Sequence, residues 1–311
     1  MKMKKVFFFA ALAAATVSMT SCNNDDEVID NNAPVEIRLS STNEASLSTR
    51  SNDQDIQLTQ FDASESIGVF INEDAGTPTT TYSQPLEYTA NGSGGMTTPA
   101  AQYFPQSGRG VNIHAFYPFS AASDLETIGN FSIATNQSTD VNYKASDLMY
   151  GVPASNPVER TSSAVQLTFN HLLSKINIEL KAGNGLNASQ LEGATVKLIG
   201  IKPETTFDPA TGAITAATGT ATDITVMTTD VTRKGSAIIV PQTRAINAAF
   251  IEVTLATSGK LTYKLTAETT FTGKNQYDYE ITVNLTELTV TSTISPWLPV
   301  GSATTGIAIM E

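Results

Sequence analysis

Val35-Glu36-Ile37-Arg38-Leu39, followed by Ser40-Ser41-Thr42-Asn43-Glu44-Ala45-Ser46-Leu47-Ser48-Thr49-Arg50-Ser51, changes character partway along. The first five residues alternate apolar with charged side chains, the period of a half-buried strand. The run from Ser40 is poor in apolar and rich in small polar side chains, which predicts a solvated loop. Arg50, flanked by Thr49 and Ser51, would sit in that loop where a protease can reach it. A strand followed by an accessible arginine suggests a removable part. The strand would fill a sheet position in a precursor, and its excision would leave an open groove. The same residues also read as an ordinary first strand and its loop. Arg38, inside the expected strand, should be shielded from cleavage.

The rest of the chain favours β structure. Its 311 residues leave room for about two domains. Thr and Ser are abundant, Gly and Pro are scattered throughout, and long Leu/Glu/Lys runs are missing, a composition that leans to strands. The net charge is −12, with 18 Lys and Arg against 30 Asp and Glu. Nucleic-acid binding needs a basic footprint that this balance does not supply.

The amino terminus reads as a leader. Met1-Lys2-Met3-Lys4-Lys5 is a positive segment, and Val6 to Val17 is an apolar core too short to span a bilayer comfortably. The single cysteine, Cys22, follows Met19-Thr20-Ser21, so no internal disulfide can form. This resembles a bacterial lipobox, with Met19 in place of the usual Leu. The resemblance implies a signal peptide over 1–21 and a lipid on Cys22 that anchors without spanning. Asn23-Asn24-Asp25-Asp26-Glu27 resembles the acidic tether of Bacteroides-type surface lipoproteins and also reads as a plain solvated linker.

Further along, Ile67, Val69 and Ile71 alternate on one face of a buried strand. Leu86 to Thr89 is a short strand, Asn91-Gly92-Ser93-Gly94-Gly95 a turn, and Val111 to Pro118 a strong strand. Weaker strands are expected at 131–134 and 148–152. Asn156-Pro157 opens a polar link through Ser163, and Val165 to Phe169 starts the second half. Phe250 to Leu255 and Leu261 to Leu265, joined through Ser258-Gly259, form a hairpin. Spacing near ten residues suggests sandwiches or barrels.

Several of these residues, taken together, resemble the fimbrillin family, the type V pilus proteins of Bacteroides-type bacteria. Phe169, His171 and Ser174-Lys175-Ile176 match a Phe-x-His-x-x-Ser/Ala-Lys-apolar signature. Val240-Pro241-Gln242, Gly273-Lys274 with Tyr277 and Tyr279, and Ile294 with Trp297 follow in the family's order. Ile67-Gly68-Val69-Phe70 matches an early core strand. Met19 to Cys22 matches the lipoprotein leader, and Arg50 the maturation site.

The resemblance implies an all-β chain with two transthyretin-like β-sandwich domains in tandem. They would span 51–163 and 164–311, after a lipidated tether and removable first strand over 22–50. It further implies a precursor carried to the outer membrane by its lipid and cut by an Arg-specific protease between Arg50 and Ser51. The vacated groove would then accept a strand from another copy or a paralogous subunit. The donor would be the tail 298–311, with Ile307 and Ile309 as alternate anchors, reaching roughly 46–50 Å when extended. Pro299, Gly301 and Gly306 interrupt that tail as a strand.

The function expected is therefore a structural subunit of a cell-surface fimbria. The alternative is an anchored or tip adhesin, or a glycan-binding lipoprotein, that meets a host or bacterial surface ligand and never polymerises. Enzyme chemistry finds little footing, with two His, one Cys at the lipid site, and no Gly-x-Ser-x-Gly or His-Glu-x-x-His spacing. No cofactor or metal is expected. Asp53-Gln54-Asp55 lacks the Gly and distal Glu of a calcium loop, His114 has no partner at ligand spacing, and His171 reads as structural.

Overall fold

The computed structural model describes residues 33–43, 60–75, 84–121, 123–125, 129–230, 232–256, 259–284 and 288–297. Cys22, Arg50, Ser51, Ile307 and Ile309 lie outside them. The described residues from Pro34 onward form one compact unit.

Among the described residues the regular secondary structure is almost entirely strand, as expected from the sequence. The first half holds β1 (Leu39–Asn43), β2 (Ser66–Glu73), β3 (Leu86–Ala90), β4 (Gly95–Thr97), β5 (Val111–Tyr117), β6 (Gly129–Ser132), β7 (Met149–Pro153) and β8 (Val165–His171). The second holds β9 (Ser174–Ala182), β10 (Thr195–Ile201), β11 (Glu204–Asp208), β12 (Ala213–Ile214), β13 (Thr222–Thr228) and β14 (Lys234–Ile239). It ends with β15 (Gln242–Arg244), β16 (Ala249–Thr254), β17 (Lys260–Lys264), β18 (Thr269–Phe271), β19 (Asn275–Val283) and β20 (Leu288–Pro296). A six-residue helix, α1 (Asp140–Ala145), precedes β7. It is too short for a helical period to stand out in the sequence.

Seven strands close by hydrogen bonding into a barrel in the order β1-β4-β3-β2-β5-β7-β8. The second half forms two four-stranded sheets, β13-β10-β16-β17 and β14-β9-β19-β20. Two smaller sheets, β12-β11-β6 and β15-β18, complete the set. Buried side chains fall into two clusters. One fills the barrel and includes Ile37, Leu39, Phe61, Ile67, Val69, Ile113, Leu167 and Phe169. The other lies among the second-half sheets and takes in Phe70 and Phe116 from the barrel strands. β2 is thus buried on both faces, with Ile67, Val69 and Ile71 in one cluster and Phe70 in the other.

Two expectations change. The first strand, expected over Val35 to Leu39, runs instead from Leu39 through Asn43: Ser40 to Asn43, read as loop, are strand with Ser41 and Asn43 buried, and before Leu39 Glu36 makes an isolated bridge to Tyr103. β8, placed at the head of the second domain, pairs with β1 and β7 inside the barrel. The polar stretch before it is stitched to β5 rather than free. The Asn156 side chain accepts from Ile113 N at 2.9 Å and donates to Ile113 O at 3.1 Å, and Val158 bridges Val111. An amide side chain placed this way mimics a strand's donor and acceptor, which hydropathy does not reveal.

Candidate functional site

The barrel closes through β1, which makes the seam around it the candidate site. On one side β1 pairs antiparallel with β4, Leu39 opposite Met96 and Ser40 opposite Gly95. On the other it pairs in parallel with β8, Leu39 to Asn43 opposite Val165 to Phe169. The segment before it is tied down as well. Ile37 N donates to Gln102 O at 2.7 Å, Phe104 N to Val35 O at 2.9 Å, and Val165 N to Arg38 O at 2.8 Å. Ser41 N donates to Gly94 O at 2.7 Å. Without β1 the remaining six strands would be an open sheet with β4 and β8 as unpaired edges, the exposure that folded proteins avoid.

Side chains alternate along the seam. Ile37, Leu39, Ser41 and Asn43 point inward and are buried, while Glu36 and Arg38 are exposed. The Arg38 backbone is held in the seam, yet its guanidinium reaches out to donate to Ser162 O. At this position the seam holds the main chain, through Arg38 O and Val165 N, and leaves the side chain exposed. β8 faces the same interior with Val165, Leu167 and Phe169. Phe169 also lies across Gly151 of β7, where an added Cβ would meet the ring at 2.7 Å. The β3–β4 turn beside the seam is set by Asn91, whose side-chain oxygen accepts from Ser93 N at 2.8 Å and Gly95 N at 2.9 Å. This is an Asx-type turn, in keeping with the turn expected there.

β8 links the seam to a second cluster. Its last residue, His171, is 2 % exposed and its Nδ1 lies 2.9 Å from Asp147 Oδ1. The imidazole stacks on Trp297 with centroids 3.8 Å apart and planes 9° off parallel. Lys175 Nζ lies 5.9 Å from the same indole centroid, within cation–π range. Trp297 N donates to Lys274 O, and Lys274 N to Leu173 O, at 2.7 and 2.8 Å. Gly273 lets this crossing form, since a Cβ there would stand 2.3 Å from Leu172 O. The signature residues His171, Lys175, Gly273, Lys274 and Trp297, scattered in sequence, therefore converge at one joint. Trp297 is the root of the 298–311 tail.

His114 is half-buried on the outside of the barrel. Tyr150 Oη donates its single proton to Ala210 O at 2.9 Å, so the 2.8 Å contact with His114 needs Nδ1–H on the histidine. Burial lowers the His114 pKa, partly offset by the Asp208 carboxylate, and burial with Asp208 pushes Tyr150 up to about 12. Among the described residues, no three or more His, Cys, Asp or Glu converge as a metal site.

Comparison with known proteins places this geometry. A relative named as a candidate fimbrium subunit, Fim1C, of Bacteroides uniformis is 27 % identical over 309 residues, 96 % of each chain. The crystal structure of a candidate cell adhesion protein of Bacteroides uniformis superposes with a TM-score of 0.64 at 23 % identity, over 84 % of this chain and 98 % of that one. One from Bacteroides ovatus gives 0.67 at 19 % identity, over 86 % and 100 %. These two structures share the fold. The fimbrillin-like family model matches residues 49–297, and the chain belongs to the fimbrillin-like family.

Proposed function

We propose that this chain is a structural subunit of a cell-surface fimbria. It is exported as a lipoprotein precursor through Cys22, cut after Arg50, and polymerised when a strand from the next subunit takes the place of β1. The observation that carries the reading is the position of β1. One short strand near the amino end closes the barrel, paired on both sides, with its last residue, Asn43, seven positions before Arg50. Its removal would expose two strand edges and the Leu39 seat together. That groove suits strand addition, in which backbone hydrogen bonds give affinity and alternate anchors give register. The family match supports the same division, because it starts at residue 49 and leaves β1 outside. The relative named as a fimbrium subunit supports the assembly. The donor in this reading is the tail 298–311, with Ile307 and Ile309 spaced like Ile37 and Leu39.

The test treats the chain lacking residues 1–22 with an Arg-specific protease and follows intact mass and size. A single cut after Arg50 followed by a ladder of multimers is expected, and deletion of 298–311 should abolish the ladder. A cut chain that stays a stable monomer would overturn polymerisation and favour an anchored or tip adhesin.

A further inference from the structure

The two ends of β1 are held differently. Toward Ile37 the segment is clasped on both sides, by the 102–104 backbone and by Val165 and Ser162. Toward Asn43 the β4 pairing has ended. β4 aligns with Leu39 and Ser40 only, and Gly94 adds one bond to Ser41 N. Among the described strands, Thr42 and Asn43 are in register with β8 and lie past the end of the β4 pairing. A one-sided strand end opens at lower free energy than a two-sided one.

The inner face weakens at the same end. Partners on one face of a strand pair lie side by side. β8 presents Val165, Leu167 and Phe169, which are 7 %, 0 % and 0 % exposed. In register, β1 answers with Leu39, Ser41 and Asn43. Only the first of these is apolar. The Ser41 hydroxyl is buried without a hydrogen-bond partner among the described residues, a state that disfavours the closed strand.

Resting on the strand-exchange reading, we propose that the Ser41–Asn43 end of β1 is the foothold at which replacement begins. The replacing strand, from a second copy or a paralogous subunit, carries an apolar residue where β1 has Ser41. The incoming strand first pairs with β8 beside Leu167 and Phe169, where β1 is one-sided and poorly matched. It then advances toward Val165 and displaces Leu39 and Ile37 last. Ser41 is the position that keeps β1 replaceable, since an apolar residue there would complete the seam and lock it.

Hydrogen exchange on the uncut full chain tests this without any assembly. Amides of residues 40–43 should exchange faster than those of 35–39. Ser41→Ala, which removes the unpartnered hydroxyl, should slow exchange at the 40–43 end by about 5- to 150-fold. Ser41→Val should move it the same way, and Ser40→Ala on the outer face should leave it unchanged. Equal protection at both ends, or no slowing in Ser41→Ala, would overturn the foothold. Multimer growth after cleavage separates the two claims. Slower growth in Ser41→Ala supports the foothold. Equal growth overturns it and leaves strand exchange standing, and no multimers from either chain overturn both.

Discussion

Replacing His171 by alanine should weaken the joint that holds the root of the tail, by an amount the geometry sets. Two interactions are lost. The Asp147 carboxylate, 2 % exposed, loses its 2.9 Å partner, and a buried acceptor deprived of its donor is destabilising by about 1–3 kcal/mol. The 3.8 Å stack on Trp297 contributes about 0.5–1.5 kcal/mol beyond its area. Together they come to about 2–4 kcal/mol, a large share of a typical unfolding free energy of about 5–15 kcal/mol. Trp297 is the only tryptophan, so its emission reports the joint directly while circular dichroism reports the whole fold. Urea unfolding of wild type, His171→Ala, Trp297→Leu and the double variant closes a cycle. It should return a coupling of about 0.5–1.5 kcal/mol for the ring pair. A loss below 1 kcal/mol in His171→Ala, or no coupling, would refute the joint as an energetic unit.

Leu39→Ala should destabilise the seam, with buried leucine truncations costing about 2–5 kcal/mol, while Arg38→Ala, at an exposed side chain, should stay within about 0.5 kcal/mol; urea unfolding compares them. Gly151→Ala should cost about 1–3 kcal/mol, because its Cβ would press on the Phe169 ring, and this appears as a lowered melting temperature. His114 carries a pH signature. Its folded pKa is lowered from 6.5, so stability is fully present above that value and is lost as pH falls through the folded pKa. His114→Gln should flatten the stability–pH curve in that window relative to wild type.

The local signals in the sequence read well. Alternation at Ile67, Val69 and Ile71 marked β2, and two apolar runs around Ser258-Gly259 marked the β16–β17 hairpin. Asn91 and its glycines marked the β3–β4 turn. What stayed hidden is non-local. β1 beside β8 and β9 beside β19 are parallel pairs whose partners lie far apart in the chain, and a strand's period does not name its neighbour. β20 was missed because Leu288-Thr289-Val290-Thr291 gives way to Ser and Thr, leaving few apolar residues to alternate. Ser41 and Asn43 looked solvated for the same reason: polarity predicts exposure, and both are buried in the seam. Arg50 was legible only as an arginine in a polar run, and it lies outside the described residues.

The central claim is that the slot held by β1 is emptied and filled again. Hydrogen exchange over β8, residues 165–169, measures it most directly, because these amides border the slot and Val165 N is bonded to Arg38 O. It should be read in the uncut chain, in the cut chain held monomeric by deletion of 298–311 and separated from its cleaved amino-terminal segment, and in multimers of the intact cut chain. The account expects protection, then exposure, then protection restored. Protection that survives removal of β1, or that does not return in the multimers, would contradict it.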